Sequence, residues 1–363
     1  MAPRGIKIGV AEDVTDKIAV VTGANTGIGF HTAKILAKGN AKVILACRSK
    51  ERGEKAVEEI EKERRDGDDD ADDDDDDDAS SRGRRCEFMA LDLSDAESIV
   101  AFAKEFKKRF KRLDILVNNA GLNMSAGYEG PKVTKQGYEM CMGTNYFGHF
   151  MLTSLLLPAL QKGKGTSRVV ALSSVTSWFG SNKYHYFVKG PSKTKGNYSA
   201  SKLACLAMTR ELQRRLDRQD PDNNVECVAA DPGFVASDIW RNYNVVLRKI
   251  AGVLALTPEE GAMTSVHAAS LKSVKKGQLY MPFSIRLSKI FKFNKGLGYK
   301  CMALQRVFAG FCADDCAPKA KDLKSNEKLW DLSVEFCKEN GMSASSLGVL
   351  NALYLLSFYS LYL

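Results

Sequence analysis

The 363-residue chain has no Cys-x-x-Cys pair among its nine cysteines, and Cys312 and Cys316 stand alone as a three-residue spacing. That is too thin for a metal site without further ligands, and reduced thiols in a cytosolic setting are the expectation. No secretory signal opens the chain, since Met1 to Glu12 is short and mixed in character. No recognised nucleic-acid motif appears, so nucleic acid is not an expected partner. Hydrophobic residues make up 44% of the chain, an ordinary share for a folded protein.

Charge is unevenly spread. Asp66 to Ala79 holds eleven aspartates; without them, 53 basic residues face 33 acidic ones, a formal +20. The aspartate block repels itself and reads as a disordered, solvated insertion over 66–82, with an acidic interaction tail as the lesser reading. A basic remainder suits an anionic membrane surface. Leu347 to Leu363 is uncharged for 17 residues. As a helix it spans roughly 25 Å against a hydrocarbon core of roughly 30 Å. It reads as a short tail anchor or monotopic segment, attaching a cytosolic domain to an intracellular membrane such as endoplasmic reticulum. A buried or oligomer-forming helix is the alternative.

Strand and helix signals alternate at short spacing, which predicts an α/β fold with a doubly wound parallel sheet (Rossmann type). Lys17 to Thr22 reads as a buried strand, Gly23-Ala-Asn-Thr-Gly27-Ile28-Gly29 as a turn, and Phe30 to Ala37 as a helix. Such a turn lets backbone approach a diphosphate at a helix N-terminus. The strand Lys42 to Cys47 ends at Arg48, where an NAD site usually has an acidic residue. Arginine there can fork onto the 2′-phosphate of NADP. Further strands are read at Cys86 to Asp92, Leu113 to Val117, Arg168 to Leu172, Val225 to Ala230 and Gly277 to Tyr280. Ser94 to Glu97 reads as a capping box for a helix to about Arg109, and Thr257-Pro258-Glu259-Glu260 as a second helix start.

Tyr198 and Lys202 lie four apart, one turn on a single helix face. An ammonium beside a phenol favours the phenolate, giving a group able to exchange a proton near neutral pH. Ser174 follows a strand and reaches the crevice at the strands' carboxyl ends. Asn145 lies in an apolar helix read from Thr144 to Leu160, where a buried amide needs partners. His149, one turn on, reads as a packed and satisfied histidine.

With Thr22-Gly23-x3-Gly27-Ile28-Gly29, Asn118-Asn119-Ala120-Gly121 and Tyr198-x3-Lys202 in order, the chain resembles the short-chain dehydrogenase/reductases from about Asp16 to Cys337. Within them it is most similar to retinol dehydrogenases and their WW-domain-oxidoreductase relatives, through Ala46-Cys47-Arg48, Asn145 to Thr153, Ser201 to Ala204, Asp231-Pro232-Gly233 and Ala317-Pro318. The resemblance implies a catalytic set of Asn145, Ser174, Tyr198 and Lys202, with Ser174 preferred to Ser173. In it Ser174 orients the substrate oxygen, Tyr198 exchanges the proton, Lys202 lowers the tyrosine pKa and binds the nicotinamide ribose, and Asn145 relays protons through water. It implies NADP(H), with NAD(H) less favoured, held by Gly23, Asn25, Gly27, Ile28, Gly29, Arg48, Asp92, Leu93, Asn119, Ala120, Gly121, Tyr198, Lys202, Pro232, Gly233, Val235 and Ser237.

The implied activity interconverts a lipophilic alcohol and its carbonyl, of retinoid, steroid or fatty aldehyde class. Alternatives are a non-catalytic NADP(H)-sensing regulatory or scaffold protein and a pigment reductase of the protochlorophyllide type. Trp178, Phe179, Tyr184, Tyr186 and Phe187 lie between Ser174 and Tyr198. They read equally as a wall for an apolar substrate and as a loop packed on the body. The domain boundaries expected are a lead-in over 1–15, one catalytic domain over 16–340 with a substrate-binding segment at 234–256, and an apolar tail over 341–363. A homo-oligomer is compatible with all of this.

Overall fold

Buried β-branched runs and amphipathic helices alternate to give an eight-stranded sheet in the order β3-β2-β1-β4-β5-β6-β7-β8. The computed structural model describes residues 14–66, 83–124, 128–182, 189–191, 197–235, 255–281, 312–313, 317–343 and 346. The strands are β1 (Ile18–Thr22), β2 (Lys42–Cys47), β3 (Cys86–Ala90), β4 (Ile115–Asn118), β5 (Ser167–Leu172), β6 (Val225–Ala230), β7 (Leu279–Tyr280) and β8 (Cys312–Ala313). Seven are parallel, and β8 closes the edge antiparallel to β7.

The first helices are α1 (Gly27–Lys38), α2 (Lys50–Asp66) and α3 (Ala96–Arg109). A broken helix follows: α4 (Met140–Met142), a π-helical turn (Gly143–Phe147) and α5 (Gly148–Leu160). Then come α6 (Asn197–Gln219), α7 (Pro258–Ser270) and α8 (Leu323–Glu339).

Both sheet faces are covered, which is why the strands read as continuous apolar runs rather than alternating ones. Successive residues point to opposite sides. Val20, Ile44 and Leu116 join the core under α3, α5 and α6, while Ala19, Val21, Val43 and Leu45 join the one under α1, α2 and α7. β1 is flanked by β2 on one side and β4 on the other, so a crevice opens between their carboxyl ends.

Several boundaries differ from the sequence reading for physical reasons. The cap of α3 is Asp95, whose carboxylate accepts from the Glu97 amide, because the Ser94 hydroxyl is taken by Asp92 Oδ1 at 2.6 Å. The helix carrying Asn145 begins earlier, at Met140, and passes through a π turn that apolar periodicity does not reveal. β8 and α8 escape the sequence reading. Trp330 of α8 packs edge-to-face on Phe150 at 5.0 Å beneath the Arg215 guanidinium at 4.6 Å. Tyr146 and Ser333 share a hydrogen bond of 2.8 Å. The Thr257 capping box on α7 forms as read, with Pro258 in the first turn.

Residues 67–82 of the acidic insertion, 236–254 of the substrate segment with Ser237, the aromatics Tyr184, Tyr186 and Phe187, and the tail 347–363 lie outside the described residues. Among the described residues no helix is long and apolar enough to cross a membrane.

Candidate active site

Glycine is required where β1 turns into α1. Gly23 and Gly27 have φ of +64° and +59°, in the left-handed region. Gly29 has no room for a side chain, since a Cβ there would lie 2.4 Å from Asn119 Nδ2 and 2.5 Å from the Gly23 carbonyl oxygen. The first turn of α1 carries no acidic residue, and the Thr26 side chain does not cap it. A helix start of this kind presents amide N–H groups and dipole to an anion.

The turn forms one wall of a cleft of about 350 Å³. Of the cofactor residues expected from sequence, Gly23, Asn25, Gly27, Ile28, Gly29, Arg48, Asp92, Leu93, Asn119, Ala120, Gly121, Tyr198, Lys202 and Pro232 all line it. Gly233 and Val235 do not; the Gly233 amide donates to Asp231 Oδ1 at 2.8 Å, and Val235 is buried in a β-bridge to Leu256. Sequence reasoning did not single out Arg52, in the first turn of α2, which reaches the cleft beside Arg48. Its only signal is a second arginine four residues after the first. Both are exposed, and neither forms an ion pair among the described residues. Beyond the end of β2 the cleft is thus lined by two guanidiniums; Glu51, in the same first turn of α2, does not line it, and Asp92 beyond the end of β3 is the carboxylate in the lining.

Of the four catalytic residues expected from sequence, Tyr198 and Lys202 line the cleft, and Ser174 and Asn145 do not. Lys202 is buried, donates from Nζ to the Leu172 carbonyl at 2.9 Å, and lies 5.7 Å from the centroid of the Tyr198 ring. Ser174 hydrogen-bonds the half-buried Tyr198. The Ser173 hydroxyl, which lines the cleft, donates to the Lys202 carbonyl at 2.9 Å.

Asn145 is 1% exposed and fully partnered: Oδ1 accepts from the Leu122 amide at 2.9 Å, and Nδ2 donates to the Leu122 carbonyl and to Ser201 Oγ. Gly121 lies between Asn145 and Lys202; a Cβ there would meet Lys202 Nζ at 3.3 Å and Asn145 Oδ1 at 3.4 Å.

The electrostatics correct one expectation. Burial pushes the Tyr198 phenol up rather than down, the Asp231 carboxylate adds to the rise, and the hydrogen bond to Ser174 opposes it. Burial also disfavours the Lys202 charge, which Asp231 supports. Asp231 is completely buried at the end of β6 with Oδ2 unpartnered among the described residues, and burial raises its carboxyl to about 6. Sequence reading takes Asp231 only as part of the Asp-Pro-Gly turn; its electrostatic contact with Lys202 and Tyr198 is a product of the fold.

Val175, Trp178 and Phe179 are exposed beyond the carboxyl end of β5, as is Phe234 beyond the Pro232-Gly233 turn that follows β6. All four follow strands at the carboxyl edge of the sheet. Cys47, Cys86, Cys141, Cys205, Cys227 and Cys337 are unpaired and buried, Cys47 with its thiol pushed up to about 12, so the one that lines the cleft is held as an inert thiol.

The short chain dehydrogenase family model matches residues 17–72 and 76–245. Mouse retinol dehydrogenase 11 is 38% identical over 257 residues, covering 70% of this chain and 73% of the relative. Human retinol dehydrogenase 12 is 34% identical over 322 residues, covering 88% and 85%. Among solved structures, a protein of uncharacterised function from Mycobacterium paratuberculosis aligns with a TM-score of 0.63 at 27% identity, covering 92% of this chain and 98% of that one. A short chain dehydrogenase from Shigella flexneri, solved with NADP, shares the fold at a TM-score of 0.56 and 23% identity, covering 75% and 98%.

Proposed function

The chain belongs to the short-chain dehydrogenase/reductase family, and on that premise we propose that it interconverts a lipophilic alcohol and its carbonyl with NADP(H). Membership makes it an oxidoreductase acting on CH–OH groups, with a nicotinamide dinucleotide NAD(P)(H) as hydride carrier. The observation that carries the finer reading is the single cleft that holds Arg48 and Arg52 at one end and Tyr198 and Lys202 at the other.

The residues present fit such a dinucleotide. The Gly23–Gly29 turn leaves space for a diphosphate where any side chain at Gly29 would collide with protein. Arg48 and Arg52 supply two fork-shaped donors for a 2′-phosphate, and the neighbouring Glu51 does not line the cleft. When bound, the cofactor supplies or accepts the hydride.

The chain's own groups do the rest in this reading. Ser174 holds the substrate oxygen by hydrogen bond. Tyr198 gives its phenolic proton to that oxygen in reduction and takes it back in oxidation. Lys202, fixed by the Leu172 carbonyl, puts a positive charge beside the phenol and offers N–H groups to a ribose hydroxyl. Asn145 keeps the Asn119–Leu122 wall in register with α6, where an ordered water could link Lys202 to solvent. The exposed Trp178, Phe179 and Phe234 suit a lipophilic substrate, the class named in the retinol dehydrogenase relatives.

The same reading keeps residues 16–340 as one catalytic domain and uses the uncharged segment Leu347 to Leu363 to attach it to a membrane surface. A version ending at Gly341 should move from the membrane fraction to the soluble one; equal partition of both forms removes the anchor. The function itself is tested by following NADPH and NADH consumption with retinal, long-chain aldehydes and ketosteroids. Turnover with NADPH and at least one of these is expected. A clear NADH preference sinks the role of Arg48, and inertness with every lipophilic carbonyl sinks the substrate class.

A further inference from the structure

Thr22, at the end of β1, has a hydroxyl with one proton and four neighbours. Its oxygen accepts from the Asn119 and Ala120 amides, both at 2.9 Å, the Asn119 amide also reaching the Val117 carbonyl at 2.9 Å. His149 Nε2 lies 2.9 Å away, and the Val117 carbonyl is farther, at 3.4 Å. On the other side of the ring, His149 Nδ1 lies 2.9 Å from the Asn145 carbonyl oxygen. A carbonyl only accepts, so Nδ1 carries the proton. Burial lowers the His149 pKa to about 4, so the ring is neutral and Nε2 is a bare acceptor. The Thr22 proton therefore goes to His149, and both hydroxyl lone pairs take backbone amides.

These bonds form a closed ring. Thr22 grips Asn119 and Ala120; Asn145 grips Leu122 through its side chain; His149 joins Thr22 to Asn145. Inside the ring lies Gly121, so close to Lys202 that a Cβ added there would meet Nζ at 3.3 Å.

We propose that His149 is a positioning residue that fixes the cofactor-facing segment Asn119–Leu122 against Lys202 by orienting the Thr22 hydroxyl and anchoring the Asn145 turn. It touches no reacting atom. It makes the wall of the dinucleotide cleft and the turn bearing Asn145 one rigid unit. The proposal rests on the functional reading above only for what the segment faces; the ring exists without cofactor.

The test uses full-length protein and three variants. His149→Leu removes both bonds. His149→Gln offers an oxygen where Nε2 was and can still receive the Thr22 proton. His149→Asn offers an N–H where Nδ1 was and serves only the Asn145 carbonyl. Amide hydrogen exchange of Ala120 and Leu122 is read without cofactor, and NADP⁺ affinity by fluorescence titration.

With His149→Leu, Ala120 should exchange about tenfold faster or more and the NADP⁺ Kd should rise about tenfold, the scale of one buried hydrogen bond left unmade. His149→Gln should recover both to within about threefold, and His149→Asn should recover neither. Unchanged Ala120 exchange in His149→Leu overturns the proposal. So does equal loss in Gln and Leu variants, or acceleration spread evenly to β6 amides, which marks general destabilisation. If wild type binds no dinucleotide, the functional reading fails instead, and the exchange data still judge the ring.

Discussion

The Lys202 ammonium lies 5.7 Å from the centroid of the Tyr198 ring while its Nζ donates to the Leu172 carbonyl at 2.9 Å. Helical spacing supplies the first relationship, and the end of β5 supplies the second. Together they hold a charge that burial disfavours against the Tyr198 phenol in the cleft.

A buried ammonium is costly to the fold even when partnered. Lys202→Met keeps the aliphatic volume and deletes the charge. The variant should unfold at the same temperature as wild type or higher, while kcat falls by about 10²-fold or more. Thermal unfolding and steady-state rates on one preparation check both halves. A loss of activity accompanied by a large drop in melting temperature would assign Lys202 a structural role.

Arg48 and Arg52 act on one phosphate in the functional reading, so their effects should be specific to NADP(H). Arg48→Ala and Arg52→Ala should each raise the KM for NADPH roughly 10-fold or more, the value of a lost charge-assisted pair. The KM for NADH should move less than threefold. Equal losses with both cofactors would mean that the arginines support the fold rather than read the phosphate.

Asp231 and His149 make opposite contributions to stability against pH. Asp231 has a folded pKa raised to about 6, above its unfolded value, so the folded state binds more protons than the unfolded state between about 4 and 6. Its cost therefore grows as pH rises through that window and persists at neutral pH. Asp231→Asn should stabilise the protein near pH 7.5 by roughly 2 kcal/mol and lose that advantage near pH 4. The same change removes a negative charge that raises the Tyr198 phenol, so the alkaline limb of the pH–rate profile should shift to lower pH.

His149 is lowered from 6.5 to about 4, so the folded state binds fewer protons across that range and its penalty grows as pH falls from about 6.5 to 4. His149→Gln should flatten the acid side of the stability curve. Chemical denaturation from pH 4 to 8 measures both variants.

Much of this site was legible in the sequence because it rests on local necessity. Gly23 and Gly27 are fixed by positive φ and Gly29 by a collision, so glycine there announces the turn. Tyr198 and Lys202 are coupled by helical spacing alone. Arg52 was not legible because α2 brings it to the cleft from outside any motif. The π turn at Asn145 was hidden because an all-apolar helix has no stripe whose drift would show it. Asp231 and His149 gained their meaning where strand ends meet helices in the fold, Asp231 near Lys202 of α6 and His149 of α5 against Thr22. The expected lowering of the tyrosine pKa failed because spacing reports a neighbouring charge and says nothing of burial.

The account's central claim is that Tyr198 exchanges the proton with the substrate oxygen. Its most direct measurement is the single-turnover rate of Tyr198→Phe on a lipophilic aldehyde at saturating NADPH, with cofactor affinity determined on the same sample. Phenylalanine keeps the ring and deletes only the hydroxyl. The account predicts a rate lower by about 10²- to 10⁴-fold with the NADPH Kd changed by less than about threefold. A variant that turns over at the wild-type rate with the same Kd would contradict it.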